Sequence, residues 1–364
     1  MLDKTLIFEC LKCGNCLFYC PVYNIEKEET YSPRGRLSLL EMINEEDFPL
    51  LRKEFLQECL LCGACEKNCN ANIKITDIYI LNRVKFKNDS PAIKKIALKF
   101  FTKGFLNLYK HLFLFFKYTP FSILPKFSLK FKIEKRNFDK KVVLFSGCVA
   151  NYLITEIKDS AIYILNLLGY EVITPPFNCC GFPFLSAGDM EQFEALRNEN
   201  SKIIQKYENL PIITLCPTGN HTLKDYYGFD NIIEFAEFLN REEKYKKLIK
   251  RMKKLEDKIS IHIPCHYINF FEHSEYLRKS LENIQEVQLY EPERQMCCGF
   301  GGMFSISYPK VSNKILEKSI KNLKVNEGRK VITNCPGCLV QLSRKSEAYH
   351  LAIYLAKMIE NSIK

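Results

Sequence analysis

The sequence predicts a multidomain α+β protein: a small helical N-terminal domain, then two α/β units built to one plan. Three observations predict it. A four-cysteine run, ECLKCGNCLFYCP at Glu9–Pro21, returns as ECLLCGACEKNCN at Glu58–Asn70, with every cysteine displaced by the same 49 residues. Downstream, short β-branched runs alternate with helical patterns, the texture of α/β units with mainly parallel sheets. Those runs also recur: Cys148 and Cys265 lie 117 residues apart, Cys179 and Cys297 118, Cys216 and Cys335 119. Near-constant offsets over such a span mark an internal duplication. The chain of 364 residues has room for two or three domains and their cores. The expected division is 1–90, 91–140, 141–257 and 258–364.

The N-terminal domain is defined by what eight packed thiols can hold. A disulfide framework does not suit it. The cysteine count of 17 is odd, so complete pairing within one chain is impossible. Met1–Phe8 offers no basic stretch followed by an apolar run, so a reduced, cytoplasmic setting is expected. Structural zinc usually takes two separated Cys-x-x-Cys pairs. Three thiols at steps of three, with a fourth four residues on, fit a 4Fe–4S cubane better, the fourth cysteine reaching to a second cluster. The expected sets are therefore Cys10, Cys13, Cys16 and Cys69 for one cluster, and Cys59, Cys62, Cys65 and Cys20 for the other. Gly14 and Gly63 fit a tight loop close to sulfide. Asn70 stands where the proline seen after Cys20 would recur, which should alter the turn and leave the ligation intact.

Residues 91–140 read as a basic aromatic linker. Pro91–Lys141 holds thirteen Lys/Arg against Glu134 and Asp139, so it accounts for the whole net charge of +11. The remainder is balanced, which argues against a nucleic-acid binder. Lys99, Lys103, Lys110 and Lys117 interrupt its apolar residues, so it is no transmembrane helix. It suits either peripheral contact with an anionic membrane surface or an aromatic face packed on its own protein.

In the first α/β unit, Val142–Cys148 is a strand, a helix follows through Ile164–Leu168, and Gly169 stops it. Glu171–Pro176 reads as a strand leading into NCCGFP at Asn178–Pro183. A helix over about Asp189–Tyr207 precedes the strand Pro211–Pro217. The second unit repeats the plan through ISIHIPC, MCCGFGG and KVITNCPGC. Cysteines at strand ends place both sites at the carboxyl edges of the sheets, where α/β folds bind ligands. The second set is complete, with Cys265, Cys297, Cys298, Cys335 and Cys338. Five thiols exceed the need of one zinc ion, so a further iron–sulfur cluster is expected there, with Gly299, Gly301 and Gly302 relieving crowding beside sulfide. The first set keeps Cys148, Cys179, Cys180 and Cys216, but Gly219 replaces the last cysteine; it holds an altered cluster, a zinc ion or nothing. The GFGG at Gly299–Gly302 is not a nucleotide site. It lacks the strand, G-x-G-x-x-G and helix order, and no G-x-x-x-x-G-K-S/T run exists. Any flavin or nicotinamide belongs to another protein. His262 and His266 flank Cys265 and either pack plainly, tune a potential through sulfur or relay protons. Arg34 and Arg36 place charge near a cluster or form a helix-start salt bridge. His266, Cys297 and Cys298 stand as candidate catalytic residues.

These motifs together resemble a family: the iron–sulfur subunit of glycolate oxidase, the C-type subunit of anaerobic glycerol-3-phosphate dehydrogenase and the D-type subunit of heterodisulfide reductase. SPRGRL at Ser32–Leu37 and the run Pro264–Cys265–His266 match the glycolate-oxidase type. The resemblance covers nearly the whole chain. It implies a ferredoxin-like two-cluster domain followed by two cysteine-rich CCG domains, the first degenerate. It further implies a subunit of a membrane-associated oxidoreductase complex, on the cytoplasmic face of the inner membrane. A partner flavoprotein would oxidise a 2-hydroxy acid such as glycolate or lactate. Electrons would pass through the two cubanes to the CCG region and on to a quinone or another membrane acceptor. The alternatives are disulfide reduction at the second CCG site, or electron transfer for glycerol 3-phosphate or succinate oxidation.

Overall fold

The computed structural model describes residues 9–42, 54–85, 98, 124–128, 138, 140–252 and 256–363. Up to residue 98 the described chain is helical, with Asn15–Tyr19, Tyr23–Glu26, Pro33–Met42, Glu54–Gln57, Ala64–Lys67 and Ile75–Lys85 as its α-helical pieces. Two small parallel sheets follow. The first contains β1 (Lys140–Phe145), β2 (Tyr170–Ile173), β3 (Ile212–Thr214) and β4 (Ile232–Glu234), in the order β2-β1-β3-β4. The second contains β5 (Asp257–Ile261), β6 (Val287–Tyr290), β7 (Lys330–Thr333) and β8 (Ala348–His350), in the order β6-β5-β7-β8. Every pairing is parallel, with Val143 opposite Ile212 in one sheet and Ile259 opposite Lys330 in the other.

The identical orders carry the duplication. In each sheet the first and third strands are neighbours, and their onward connections leave in opposite directions. Such a switch point opens a crevice at the carboxyl ends of the two strands. Cys148 and Cys216 sit there in the first unit, and Cys265 and Cys335 in the second. Two boundaries differ from expectation. β2 stops at Ile173, because Pro175 and Pro176 have no N–H for a ladder. The long helix spans Met190–Gln205, with the Asp189 carboxylate accepting from the Gln192 N–H at 3.5 Å. The edge strands β4, β6 and β8 were not anticipated.

Alternation along β1 explains the packing. Val142 and Leu144 enter a core shared by both α/β units, while Val143 and Phe145 enter a core shared with Leu37, Leu40, Phe55 and Tyr79 of the N-terminal segment. The C-terminal helix Leu351–Ile363 leaves the second unit and packs on Glu156–Leu167 of the first. Leu351, Ile353, Leu355 and Ile359 are buried there, each contributing about 1.5–3 kcal/mol. Most of 91–140 lies outside the described residues. Of its described part, Leu124 and Phe127 pack on the shared core, with the Phe127 ring 5.5 Å from that of Tyr349. No described helix is long and apolar enough to cross a membrane.

Candidate metal centres

All 17 cysteines are free thiols. Cys10, Cys13, Cys16 and Cys69 line one cavity, together with Arg34 and Leu37. Cys20, Cys59, Cys62 and Cys65 line a second, together with Arg36 and Tyr79. The exchange of Cys20 and Cys69 follows from local geometry. Gly14 and Gly63 take φ of +82° and +76°, so three cysteines of each run curl around their own cavity. The helices Asn15–Tyr19 and Ala64–Lys67 then carry the fourth across to the other cavity. What crowds these glycines is protein, however. A Cβ at Gly14 would lie 2.7 Å from the Arg34 guanidinium, and one at Gly63 2.4 Å from the Phe270 ring. At Gly301 it would lie 2.4 Å from Leu60 Cδ2, and Gly302 faces open space, so neither is set by crowding at a thiol.

The electrostatics fit a cationic group in these cavities. Burial pushes the Cys16 thiol up to about 11 and raises Cys20, Cys62 and Cys65 as well. Left alone these groups stay protonated; held as four thiolates they need positive charge, which metal ions supply. Arg36 adds some. It is fully buried, donating from Nε to the Phe55 carbonyl at 2.6 Å and from Nη2 to Glu58 at 2.7 Å. Its Nη1 has no hydrogen-bond partner. Arg34 instead pairs with Glu29 at 2.7 Å and donates to the Lys12 carbonyl at 3.2 Å. Arg34 therefore fills both expected roles, an ion pair at the helix start and a charge near Cys16, while Arg36 fills the second alone. Backbone N–H groups of Tyr23 and Leu61 reach Cys20 and Cys59 sulfur at 3.5 and 3.4 Å. The Asn70 amide lies 3.9 Å from Cys13 sulfur, a contact that proline could not make.

In the second unit Cys297 and Cys265 sulfurs are 4.0 Å apart, and Gly299 N–H lies 3.4 Å from Cys297 sulfur. Cys298, Cys338 and His262 form a buried group with ligand atoms within 4.8 Å of one another, and Cys297 meets both Cys265 and Cys298. In the first unit Cys148 and Cys179 sulfurs are 3.6 Å apart, and Cys180 lies against Cys179 and Thr222. Cys216 meets Cys335 of the second unit and stays close enough to Cys180 for their charges to affect one another. A Cβ at Gly219 would meet only Cys216 Cβ and the Phe145 ring, each at 3.8 Å. Space for a side chain remains there; the missing group is chemical.

His266 ties three parts of the chain together. It is buried, and its Nε2 donates to the Leu61 carbonyl at 3.0 Å. A carbonyl only accepts, so on the neutral ring Nδ1 is the acceptor and receives the Thr218 hydroxyl at 2.6 Å. Burial, then His221, lowers its pKa to about 4, consistent with that neutral ring. Both nitrogens are engaged, so His266 does not bond a thiol. Beside it, Asn269 Nδ2 donates to the Cys62 carbonyl at 2.7 Å, and Phe270 stacks on His221 with centroids 4.1 Å apart. Cys62 is close enough to Cys297 and Cys265 for their charges to affect one another.

Three further residues escaped the sequence reading. Arg83, fully buried, donates to the carbonyls of Leu56 (2.7 Å), Gln57 (3.1 Å) and Cys59 (2.7 Å), and to Ser186 at 2.6 Å. Thr218 fixes the His266 ring. Glu234, raised to about 7 by burial, accepts from Asn334 of the second unit at 3.0 Å.

Comparison with known proteins places this geometry. Residues 7–73 match the 4Fe-4S dicluster domain, and residues 142–224 and 259–343 each match the cysteine-rich domain. The chain is 25% identical to the probable glycolate oxidase iron-sulfur subunit of Bacillus subtilis, over 96% of this chain and 94% of that protein. It is 25% identical to a fumarate reductase (CoM/CoB) subunit of Methanothermobacter marburgensis, over 95% of this chain and 69% of that protein. It is 22% identical to the D-type subunit of the dihydromethanophenazine:CoB–CoM heterodisulfide reductase of Methanosarcina acetivorans, over 90% of this chain and 86% of that protein. The chain thus carries a 4Fe-4S dicluster domain followed by two cysteine-rich domains, and it is similar along most of its length to proteins named as the iron-sulfur subunit of glycolate oxidase and the D subunit of heterodisulfide reductase.

Proposed function

We propose that the chain is the iron–sulfur electron-transfer subunit of an oxidoreductase complex, in which a partner flavoprotein oxidises a 2-hydroxy acid of the glycolate or lactate type. One observation carries the reading. The thiol sets adjoin in series: Cys10, Cys13, Cys16 and Cys69, then Cys20, Cys59, Cys62 and Cys65, then the Cys265–Cys297 pair beside Cys62. The 4Fe–4S clusters that the first two sets suit supply one-electron transfer when bound. The protein's part is to fix their spacing and exclude water. Leu60, Val22, Phe304 and Ile315 pack the junction at Cys62, and His266 and Asn269 clamp the Leu61–Cys62 backbone to the second unit. We take the chain's domains as 1–90, 91–140, 141–257 and 258–364, the first being ferredoxin-like. A quinone or another membrane acceptor takes the electrons, with 91–140 in peripheral contact with an anionic leaflet.

The test is anaerobic isolation from the native cell, with the eluate examined for flavin and for bleaching by glycolate, lactate, glycerol 3-phosphate or succinate. A co-eluting flavoprotein whose substrate bleaches the iron–sulfur absorbance supports the reading and names the donor. A second reading, disulfide reduction at the second cysteine-rich site, draws on the meeting of Cys216 with Cys335 across the two units. Isolation without flavin, together with disulfide reduction from a chemical donor, favours it and sinks the first. Absence of liposome binding at low salt removes the membrane contact.

A further inference from the structure

The adjacent cysteines of the second unit face different ways. Cys297 lies with Cys265 in the small cluster beside Cys62, whereas Cys298 lies with Cys338 and Cys335 in the core shared by the two α/β units. His262 joins the latter group. A ring nitrogen and the Cys298 and Cys338 sulfurs all lie within 4.8 Å of one another, and all three residues are buried. His262 is 1% exposed, its Nδ1 lies 3.2 Å from Thr333 Oγ1, and its Nε2 has no hydrogen-bond partner. A buried polar atom left unpaired is destabilising, so ordinary core histidines are bonded at both nitrogens. His266 and His350 are bonded in this way. His262 is the exception, and one of its ring nitrogens lies within 4.8 Å of two thiols. In the tautomer that donates Nδ1–H to the Thr333 hydroxyl, Nε2 carries the lone pair. A ring held through its outer N–H is the arrangement that metal-binding histidines use.

We propose that His262 is a nitrogen ligand that, with Cys298 and Cys338, binds one metal ion of the second cysteine-rich site. The inference rests on the reading that this site carries an iron–sulfur centre, and it names the donor set on the Cys298 side. One imidazole and two thiolates select iron or zinc; magnesium and calcium require oxygen. Cys297, which meets both Cys265 and Cys298, links this group to the Cys265 side, while Cys335 lies between Cys338 and Cys216.

The experiment uses the full chain, isolated anaerobically with 15N-labelled histidine. It reads metal content, X-ray absorption at the iron and zinc edges, and pulsed EPR of the reduced protein. The expected result is about twelve irons per chain and the strong hyperfine coupling of a directly bound histidine nitrogen. His262→Cys, which offers a thiolate instead, should lose the coupling and keep the iron. His262→Ala should fall to about eight irons, with the two N-terminal clusters intact. Zinc at this site with nitrogen in its ligand shell upholds the ligand role of His262 and overturns the iron reading. Bound metal with an all-sulfur shell and no directly bound nitrogen overturns the inference and leaves the iron reading standing. About eight irons and no zinc in the unsubstituted chain overturns both. The labelled chain decides by itself if His262→Ala does not fold.

Discussion

Arg36 concentrates the residue-scale logic of this protein. A guanidinium held entirely out of water is costly unless its donors are used and its charge is answered. Two donors go to the Phe55 and Glu58 carbonyls, Nη1 is left without a hydrogen-bond partner, and the residue lines the cavity of Cys20, Cys59, Cys62 and Cys65. Removing that positive charge disfavours the reduced, more negative form of whatever the thiols hold. Arg36→Met is therefore expected to lower that cluster's midpoint by about 60 mV, the one-electron equivalent of about 1.4 kcal/mol, in an EPR-monitored redox titration. Arg36→Lys should restore most of the shift; equal potentials in all three proteins would contradict this role. At Gly63 the constraint is steric. Gly63→Ala should cost about 1–3 kcal/mol at φ +76°, and part of that cost should vanish in a Phe270→Ala background, measured by denaturant unfolding. The eight N-terminal cysteines were legible because cluster chemistry dictates their spacing. Arg36 was legible only as a cation near the motif. Arg83 was not legible, because its role depends on Ser186, 103 residues away.

At the scale of elements, strands with a cysteine after them announced themselves, because β-branched runs end at the chemistry. The strands β4 and β8 did not, since three residues are too few for a period of two to show. Yet β8 and the helix after it hold the two α/β units together. Leu355→Ala in Leu351–Ile363 is expected to cost about 2–5 kcal/mol and to lower the thermal midpoint. His350, at the end of β8, donates from Nε2 to the Leu215 carbonyl at 3.1 Å and accepts the Ala352 N–H on Nδ1 at 3.2 Å. Burial lowers its pKa to about 4, below the unfolded value of about 6.5. The folded chain then binds fewer protons than the unfolded one, so stability is full above about pH 6.5 and falls as pH drops toward 4. The limit for this one residue is roughly 3 kcal/mol. In urea unfolding from pH 7 to 4.5, His350→Gln should flatten that loss; an unchanged slope would reject the linkage.

For the molecule as a whole, the N-terminal segment and the two α/β units meet at the Leu61–His266–Thr218 chain of hydrogen bonds, which no local pattern predicts. The duplicated plan was legible through the cysteine offsets. The way Cys62 comes to lie beside Cys297 was not, because it depends on how separate units dock. Metal binding to thiols buried this deeply is coupled to folding. Iron removal by a chelator is therefore expected to loosen residues 9–85 while β1–β8 stay protected, as read by hydrogen exchange. The central claim is a continuous electron path through Cys62 into the second unit. EPR of the fully reduced, anaerobic chain tests it most directly. The account predicts spin–spin interaction between the two N-terminal clusters, and between the cluster held by Cys20, Cys59, Cys62 and Cys65 and the centre at Cys265 and Cys297. Spectra that are a plain sum of isolated clusters, or iron for no more than two of them, would contradict it.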